Sequence, residues 1–533
     1  MRKHRLRLPS AGATAAFIGL SMIVATAAAQ SVSVAPATMP RVGTVDERYQ
    51  SYNVEMVEVT GGRFWRPYGL DPKASRRQAP PSAVGTAQGH TPTGMSSTLH
   101  AYRPPIDLTN ARLRKLAAAL GPSYMRVSGT WANNTYFADT DQTSGDPPPG
   151  FGSVLTRQQW RGVVDFAKAV DAGIVTSFAI GIGTRDAQGA WTAEQAGRFL
   201  AYTRSIGGRI VAAEWMNEPN LAVMGGAPAG YSAADYGRDF KIFHAFARHA
   251  APDMLILGPG AVGITSGHAD AAALTAHNIL AASSPAHVDV LSYHHYGALS
   301  LRCVAQDHQT TPAAALSEEW LRRTDEALAF HRKLRDELEP GRPIWLTETA
   351  EAACGGDPWA GTFLDTFRYL DQLGRLASQG VQVVAHNTLV ASDYGLLNDK
   401  TLEPKPNYWG ALLWRRLMGT TVLEAGVPIR EGLHVYAHCL RGTSGGVALL
   451  AINNSRTRST SLALPVEADG FSLTAEELEA SHVSLNGHEL GLGASDELPA
   501  FRERRLGPGD VELAPASITF LAIADARNPS CRS

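Results

Sequence analysis

Short apolar runs alternate with amphipathic helical segments along most of this chain. Helical spacing of apolar residues is clearest at 109–120, 158–170, 193–206, 316–338 and 363–379. Strand–helix alternation predicts a parallel sheet, and eight such units predict a closed (β/α)8 barrel, a TIM barrel of the α/β class. A doubly wound sheet would need a glycine-rich phosphate loop, which Gly61-Gly62 alone does not supply. The eight strand-like runs are residues 53–60, 124–127, 175–180, 212–215, 255–257, 288–293, 343–346 and 381–385.

The pattern changes after Trp414, where short alternating runs with polar turns replace the helices. This pattern predicts an all-β sandwich over residues 413–533, following a catalytic barrel over 49–412 and a linker over 30–48. A chain of 533 residues is also too long for one core, which favours two domains. The predicted sandwich strands are residues 422–427, 434–438, 446–452, 459–464, 482–485, 510–513 and 517–524.

The first 29 residues have the features of an export signal. A basic start is followed by a short apolar stretch and by the small residues Ala27-Ala28-Ala29. We therefore expect a signal peptide over residues 1–29 and a secreted or periplasmic bacterial protein. No later run is apolar and long enough to span a membrane, so no membrane insertion is expected after the signal is removed. The net charge of −2 argues against a nucleic-acid binder.

Glu218 and Glu348 carry the main chemical signal. Each closes a strand-like run, in AEWMNEPN and IWLTET, and they lie 130 positions apart. Because a β–α unit takes roughly 30 residues, three to four units separate the two glutamates, and both can reach one rim of a barrel. Glycosidic bond hydrolysis needs such a facing pair of carboxyl groups. Asn217 can bond a sugar 2-hydroxyl, although Asn-Glu-Pro could also be a chance turn and Glu348 a structural ion-pair partner.

A third motif, SYHHYG, places His294, His295 and Tyr296 at the end of another strand. Adjacent residues of a strand point to opposite faces, so at most one of the histidines lines the pocket and no His–His metal site is expected. Either histidine could equally be structural. Trp131, in RVSGTW, could stack on a sugar ring or pack in the core.

These motifs together resemble glycoside hydrolase family 79, which holds heparanase and the related β-glucuronidases. The likeness is carried by AEWMNEPN, IWLTETAEAACGG and SYHHYG, and it extends from about residue 52 to the C-terminus. The resemblance implies a (β/α)8 barrel with a β-sandwich that includes a short part of the N-terminus. It implies Glu218 as acid/base and Glu348 as nucleophile of a retaining enzyme. Further implied substrate contacts are Asn217, Gly355, Gly356, Asn387, Tyr394 and, less closely matched, Glu55.

The resemblance also bears on how the four cysteines pair. Export makes disulfides possible, but four cysteines allow three sets of pairings. It implies that Cys439 in the sandwich pairs with Cys531 in the tail. Cys303 and Cys354 follow the sixth and seventh strands and can meet at one barrel rim. The chain departs from heparanase at Ala353-Cys354, where one extra residue precedes the glycines. It lacks an evident excised linker, so we expect one uncut polypeptide. It also lacks heparin-like Lys and Arg clusters, which argues against a sulfated heparan substrate, although whether the glycan is sulfated stays open.

The predicted function is a retaining hydrolase that cleaves β-linked glucuronic acid, as a β-glucuronidase or a heparanase-like endo-β-glucuronidase. The expected partner is a uronic-acid-containing oligo- or polysaccharide, and the enzyme is expected to act as a monomer without cofactor or metal. One alternative is a retaining glycosidase of the same clan that acts on a neutral β-glycoside. The other is a non-catalytic carbohydrate-binding protein. Endo or exo action and the aglycone stay open.

Overall fold

The structure is a computed structural model, and it describes residues 31–68, 91–141, 146–264, 274–303 and 309–532. The predicted signal, residues 1–29, lies outside the described residues. Within the part of the chain that the structure describes, no helix is long and apolar enough to cross a membrane.

Fourteen strands precede the end of the barrel in the described residues. In chain order they are β1 (Val32–Ser33), β2 (Arg41–Thr44), β3 (Gln50–Glu55), β4 (Gly62–Trp65), β5 (His100–Arg103), β6 (Ser123–Ser128), β7 (Thr135–Ala138), β8 (Ser153–Thr156), β9 (Ala172–Thr176), β10 (Ile210–Glu214), β11 (Leu255–Ile264), β12 (Val290–Leu299), β13 (Ile344–Ala353) and β14 (Val383–His386). Strands β3, β6, β9 and β10 to β14 pair in parallel in this order and close into a barrel, with His386 of β14 opposite Tyr52 of β3. The predicted TIM barrel is confirmed.

Helices cover the outside of the barrel, as the repeat of apolar residues predicts. Helix α3, for example, starts with a reciprocal cap between Thr156 and Gln159, and it buries Trp160 and Val163. The helices are α1 (Met56–Thr60), α2 (Ala111–Leu120), α3 (Arg157–Ala169), α4 (Glu194–Ser205), α5 (Ala233–Ala250), α6 (Ala276–Ser283), α7 (Glu318–Leu321), α8 (Arg323–Leu338), α9 (Phe363–Ser378) and α10 (Pro406–Leu417).

Several boundaries differ from the sequence prediction. Residues 53–60 do not form one strand, because Glu58 caps the chain at Glu55 and starts the short helix α1 at Met56. Strands β12 and β13 continue beyond the predicted ends, so Glu348 lies inside β13 rather than at its end. The predicted helix 316–338 is two helices, α7 and α8, which meet at Arg322.

The C-terminal part is a sandwich of two sheets. Its larger sheet has the order β2-β15-β16-β17-β24-β19-β20-β21, with β22 also paired to β19, and its smaller sheet has the order β1-β18-β23. Leu449 and Leu521 of the larger sheet pack with Leu462 and Val511 of the smaller one. The remaining strands are β15 (Met418–Leu423), β16 (His434–Leu440), β17 (Val447–Asn453), β18 (Thr460–Leu464), β19 (Ala468–Thr474), β20 (Ser484–Leu485), β21 (His488–Glu489), β22 (Arg504–Leu506), β23 (Gly509–Leu513) and β24 (Ser517–Ile523).

The segment predicted as a linker, residues 30–48, instead contributes strands β1 and β2 to the two sheets. Val32 pairs with Leu462 of β18, and Thr44 pairs with Thr421 of β15. The amide of Asn528 also donates to two backbone carbonyls between these strands, at 2.7 and 2.9 Å. Backbone pairing across the full chain, which no local pattern reports, explains the difference.

A buried ionic network joins barrel helix α9 to sandwich strand β16. His434 lies 2.6 Å from Asp371 through Nδ1 and 2.6 Å from Glu318 through Nε2. Arg375 bonds the other oxygen of Asp371 at 2.6 Å, and the Tyr436 hydroxyl donates to the same oxygen as His434. The two domains therefore meet across paired charges as well as apolar side chains.

Candidate active site

Two buried glutamates face each other at the carboxyl end of the barrel. Glu218 follows β10, the fourth barrel strand, and Glu348 lies in β13, the seventh, opposite His294 of β12. One carboxylate oxygen of Glu218 lies within 4.8 Å of one of Glu348. Retaining glycosidases hold their carboxyl groups about 5–5.5 Å apart, whereas inverting enzymes need roughly 6.5–9.5 Å for a water molecule. The spacing matches a direct attack on the sugar.

Glu218 has the environment of a proton donor. Its backbone is left-handed, with φ at 45°, and Pro219 starts a short 3-10 turn directly behind it. This conformation turns the carboxyl group into the barrel mouth, where it is 8% exposed. Burial raises the pKa of Glu218, and the negative charge of Glu348 adds to this rise against the opposing contact with His294, 3.2 Å away.

Glu348 is held by a hydrogen bond to each of its carboxylate oxygens. Nη1 of Arg126 donates to one oxygen at 2.7 Å, and the hydroxyl of Tyr296 donates to the other at 2.7 Å. Two charge-assisted hydrogen bonds hold the side chain in one orientation. A carboxylate fixed in one orientation, beside a second carboxyl group whose pKa is raised, is the pairing that covalent glycosidase chemistry uses.

Arg126 and Glu214 form the buried ion pair beneath these glutamates. The guanidinium of Arg126 bonds Glu214 at 2.7 Å and the side-chain oxygen of Asn217 at 2.8 Å, and its exposure is only 2%. Burial would raise the pKa of Glu214, but the charge of Arg126 and several hydrogen bonds hold it well below its usual range. Glu214 is therefore the counter-ion that balances the charge of Arg126 beneath Glu348.

The two adjacent histidines lie on opposite faces of β12. His294 faces the glutamates; burial lowers its pKa, while the charge of Glu348 and contacts with Glu214 and Glu218 raise it to about 9. His295 lies against helices α8 and α9, where burial and nearby cations, Arg368 first among them, lower its pKa to about 3. The structure therefore places His294, and not His295, at the candidate site.

Asn217 is held by its backbone rather than by its side chain alone. The amide of Asn133 bonds both the N–H and the C=O of Asn217, each at 2.8 Å. Asn217 accepts one hydrogen bond from Arg126, and its own amide nitrogen has no acceptor among the described residues. A sugar hydroxyl at the site would find this donor already oriented.

A second polar cluster lies at the end of the first and eighth barrel strands. The amide of Asn387 donates to Glu55 at 3.2 Å, to Tyr296 at 2.9 Å and to Tyr394 at 3.2 Å. Burial raises the pKa of Glu55 well above its usual range, and the charge of Glu348 raises it further. One oxygen of Glu55 has no partner among the described residues. Glu55 is therefore a buried acid with a raised pKa beside Glu348.

Gly355 and Gly356 lie in a turn that follows β13. Both have positive φ, at 84° and 80°, which glycine adopts without steric cost. A Cβ on Gly356 would lie 3.0 Å from the ring of Tyr394, so the turn borders the polar cluster. Cys354 before it is bonded to Cys303, with their Cα atoms 6.3 Å apart, and Cys439 is bonded to Cys531. Both pairings are those predicted.

Comparison with known proteins shows the family to which this chain belongs. The family model for glycosyl hydrolase family 79, N-terminal domain, matches residues 101–374. Heparanase-like protein 1 of Arabidopsis thaliana is 30% identical over 382 residues, which cover 68% of this chain and 67% of the relative. The chain belongs to glycosyl hydrolase family 79. It is therefore a glycoside hydrolase.

More distant proteins are also similar to this family 79 chain. The hyaluronoglucuronidase of Hirudo nipponia is 25% identical over 491 residues, which cover 80% of this chain and 92% of the relative. An α-L-arabinofuranosidase from Thermotoga maritima has a TM-score of 0.61 at 13% identity, covering 92% of this chain and 99% of that one. The last similarity concerns the fold alone.

Trp131 of this family 79 enzyme lies beside the site in an aromatic cluster. Its ring meets Phe64 edge-on at 4.9 Å and Trp65 at 6.1 Å between centroids, and its exposure is 7%. The structure therefore shows Trp131 as a packed residue. Trp65, half-buried in the same cluster, presents more surface.

Glu218, His294 and Glu348 have the types and spacing of metal ligands. However, both oxygens of Glu348 already accept hydrogen bonds, and the Arg126 guanidinium lies 3.1 Å from Nε2 of His294. A fixed positive charge at that place opposes a bound cation, so the three residues are better explained as acid–base groups.

Arg126 and Glu214 are absent from the residues predicted as site residues. The signal for both was present, because each is a charged residue inside an apolar strand, in YMRVS and VAAEW. A charge in a parallel strand of a barrel points either to solvent at the rim or to a buried partner, and only the fold shows which.

Proposed function

We propose that this enzyme hydrolyses β-linked glucuronides with retention of configuration, in uronic-acid-containing oligo- or polysaccharides. The observation that carries the proposal is the close pair of glutamates in unequal environments. Glu348 attacks the anomeric carbon while Glu218 protonates the leaving oxygen. Glu218 then removes a proton from water, which releases the sugar from Glu348.

The turn that contains Gly355 and Gly356 supports the proposal that the substrate carries an acidic sugar. Backbone N–H groups that lack protein acceptors can bind a carboxylate without a charged side chain. The N–H groups of Gly355 and Gly356, beside Tyr394, have no acceptor within the part of the chain that the structure describes. The relative named hyaluronoglucuronidase, aligned over most of both chains, supports the same class of substrate.

The proposal includes export and action as a monomer without nucleic acid. The basic, apolar and small-residue pattern of residues 1–29 supports a cleaved signal before the domains at 49–412 and 413–533. The two disulfides support an oxidising compartment outside the cytosol.

The first experiment compares an aryl β-glucuronide with the matching aryl β-glucoside. The wild type is expected to prefer the glucuronide, and a preference for the glucoside would refute the uronate assignment. Proton NMR should show the β-anomer as the first product. A first product with the α configuration would exclude retention. Products from unsulfated heparosan, hyaluronan and chondroitin then identify the polymer, since release of monomer alone means exo action.

Variants separate the roles of the two glutamates. Glu348→Ala should abolish turnover in a folded protein. Glu218→Ala should slow a natural disaccharide far more than an activated aryl glucuronide, because an activated leaving group needs no proton. Equal losses on both substrates would contradict the acid role. Glu339→Ala, which changes a buried glutamate after helix α8, is the matched control and should leave activity near the wild-type rate.

A further inference from the structure

The turn formed by Cys354, Gly355 and Gly356 has an unusual run of backbone angles. Cys354, Gly355 and Gly356 all have positive φ, at 64°, 84° and 80°. Successive left-handed residues turn their N–H groups toward one side and their carbonyls toward the other. The N–H groups of Gly355 and Gly356 donate to no acceptor among the described residues, whereas all three carbonyls are bonded.

Arg302 makes two of the five hydrogen bonds that hold these carbonyls. Its Nη1 donates to the carbonyl of Cys354 at 3.2 Å and to that of Gly356 at 2.7 Å. No other single side chain among the described residues bonds both ends of this turn. Additional donors are the Ser300 hydroxyl and the Tyr68 hydroxyl, both at 3.1 Å, and the Asp393 N–H at 3.2 Å.

Arg302 is itself fixed from every side. Its Nε donates to the carbonyl of Arg66 at 2.9 Å, its Nη2 pairs with the carboxylate of Asp393, and its guanidinium lies 3.8 Å from the centre of the Tyr68 ring. The side chain is only 6% exposed. It therefore ties together the loops that follow the first, sixth, seventh and eighth barrel strands.

The position of the guanidinium also places charge behind the turn. A Cβ built on Gly355 would lie 3.1 Å from Nη1 of Arg302, and the same nitrogen bonds the carbonyls of Cys354 and Gly356. An anion bound by the N–H groups of Gly355 and Gly356 would interact with the guanidinium across one peptide unit. Asp393 offsets part of that charge, so orientation of the peptide groups and attraction both contribute.

We infer that Arg302 is a positioning residue that sets the preference for an acidic sugar, because it orients the N–H groups of the Cys354–Gly356 turn toward the sugar carboxylate. The inference rests on the proposed glucuronidase function. Arg302 does not touch the reacting atoms, and the Cys303–Cys354 bond anchors the same turn from the neighbouring residue.

The test measures kcat and KM of Arg302→Gln on an aryl β-glucuronide and on its uncharged methyl ester. We expect KM for the glucuronide to rise at least about tenfold and kcat/KM to fall about thirtyfold, with the methyl ester changed less than about threefold. An equal loss on both substrates would show a merely structural role and overturn the inference.

The matched control is Arg323→Gln. Arg323 also bonds a backbone carbonyl, that of Gly297 in β12 at 2.7 Å, and also packs over an aromatic ring, Trp320. It lies away from the glycine turn, so the ratio of the two substrates should match that of the wild type. The same shift in this control would overturn the inference.

If Arg302→Gln does not fold, Tyr68→Phe decides. It removes one donor to Gly356 and keeps the ring beside the guanidinium. The ratio of kcat/KM for the aryl glucuronide to kcat/KM for its methyl ester should fall about threefold. An unchanged ratio overturns the inference. The wild-type preference for glucuronide over glucoside tests the proposed function separately from these ratios.

Discussion

The ionic network between the barrel and the sandwich predicts a specific loss of stability at alkaline pH. His434 is fully buried between Asp371 and Glu318. Burial lowers its pKa, but the charge of Asp371 and the hydrogen bonds to both carboxylates raise it to about 9 from an ordinary 6.5. This rise in the pKa of His434 corresponds to about 3 kcal/mol of stability at pH values below both pKa values.

The direction of this effect follows from proton binding. Because the folded state holds the proton more tightly than the unfolded state, the contribution is complete below about pH 6.5 and is lost as the pH rises through 9. Arg375, Asp325 and Tyr436 face the same network and do not take over the role of His434, since they already bond Asp371 or one another.

The assay is urea unfolding of the wild type and His434→Gln at about pH 6 and about pH 9.5. The free-energy difference between the two proteins should shrink by about 3 kcal/mol between these pH values. His438→Gln is the matched control on the same strand: burial lowers the pKa of His438 to about 4, so its difference should change by less than about 1 kcal/mol. A His434→Gln difference that is the same at both pH values would refute the reasoning.

Three further predictions concern the active site. Arg126→Gln should lower kcat/KM at least about a hundredfold and destabilise the fold by about 3–5 kcal/mol, measured by kinetics and urea unfolding, since it leaves two buried carboxylates without their cation. Asn217→Ala should slow a glucuronide about a hundredfold but its 2-deoxy analogue only slightly; similar losses on both would exclude a 2-hydroxyl contact. Because burial raises the pKa of Glu218, the alkaline limb of the pH profile of kcat/KM should lie above the usual glutamate range. This limb should disappear in Glu218→Ala assayed with an activated substrate. If the limb persists in that variant, it belongs to another group.

The barrel and its two glutamates could be predicted because they depend on repeating local patterns. Each strand-like run marked a position in the barrel order, and the spacing of Glu218 and Glu348 placed both at one rim. Opposite faces for His294 and His295 also followed from strand geometry alone, although that geometry does not show which of the two lines the pocket.

Other parts depend on distant partners and could not be read locally. Strand β19 has the sequence ADGFSLT, with a glycine and few apolar residues, and it is a strand because β24 pairs with it. The ion pair between Arg126 and Glu214 is evident only from the closed barrel, in which β6 and β10 face the same interior. Likewise, Arg302 showed no motif, since its acceptors are backbone carbonyls of loops remote in sequence.

The N-terminal strands β1 and β2 make the barrel an insertion within the sandwich. The chain starts both sheets before the barrel begins and completes them only after it ends, where Val32 meets Leu462 and Asn528 holds the carbonyl of Pro36. The sandwich therefore cannot finish folding during synthesis until almost the whole polypeptide has emerged. The two domains cannot be separated by a single cut. A C-terminal fragment that begins after the barrel would lack β1 and β2, which pair with β18 and β15 of the sandwich.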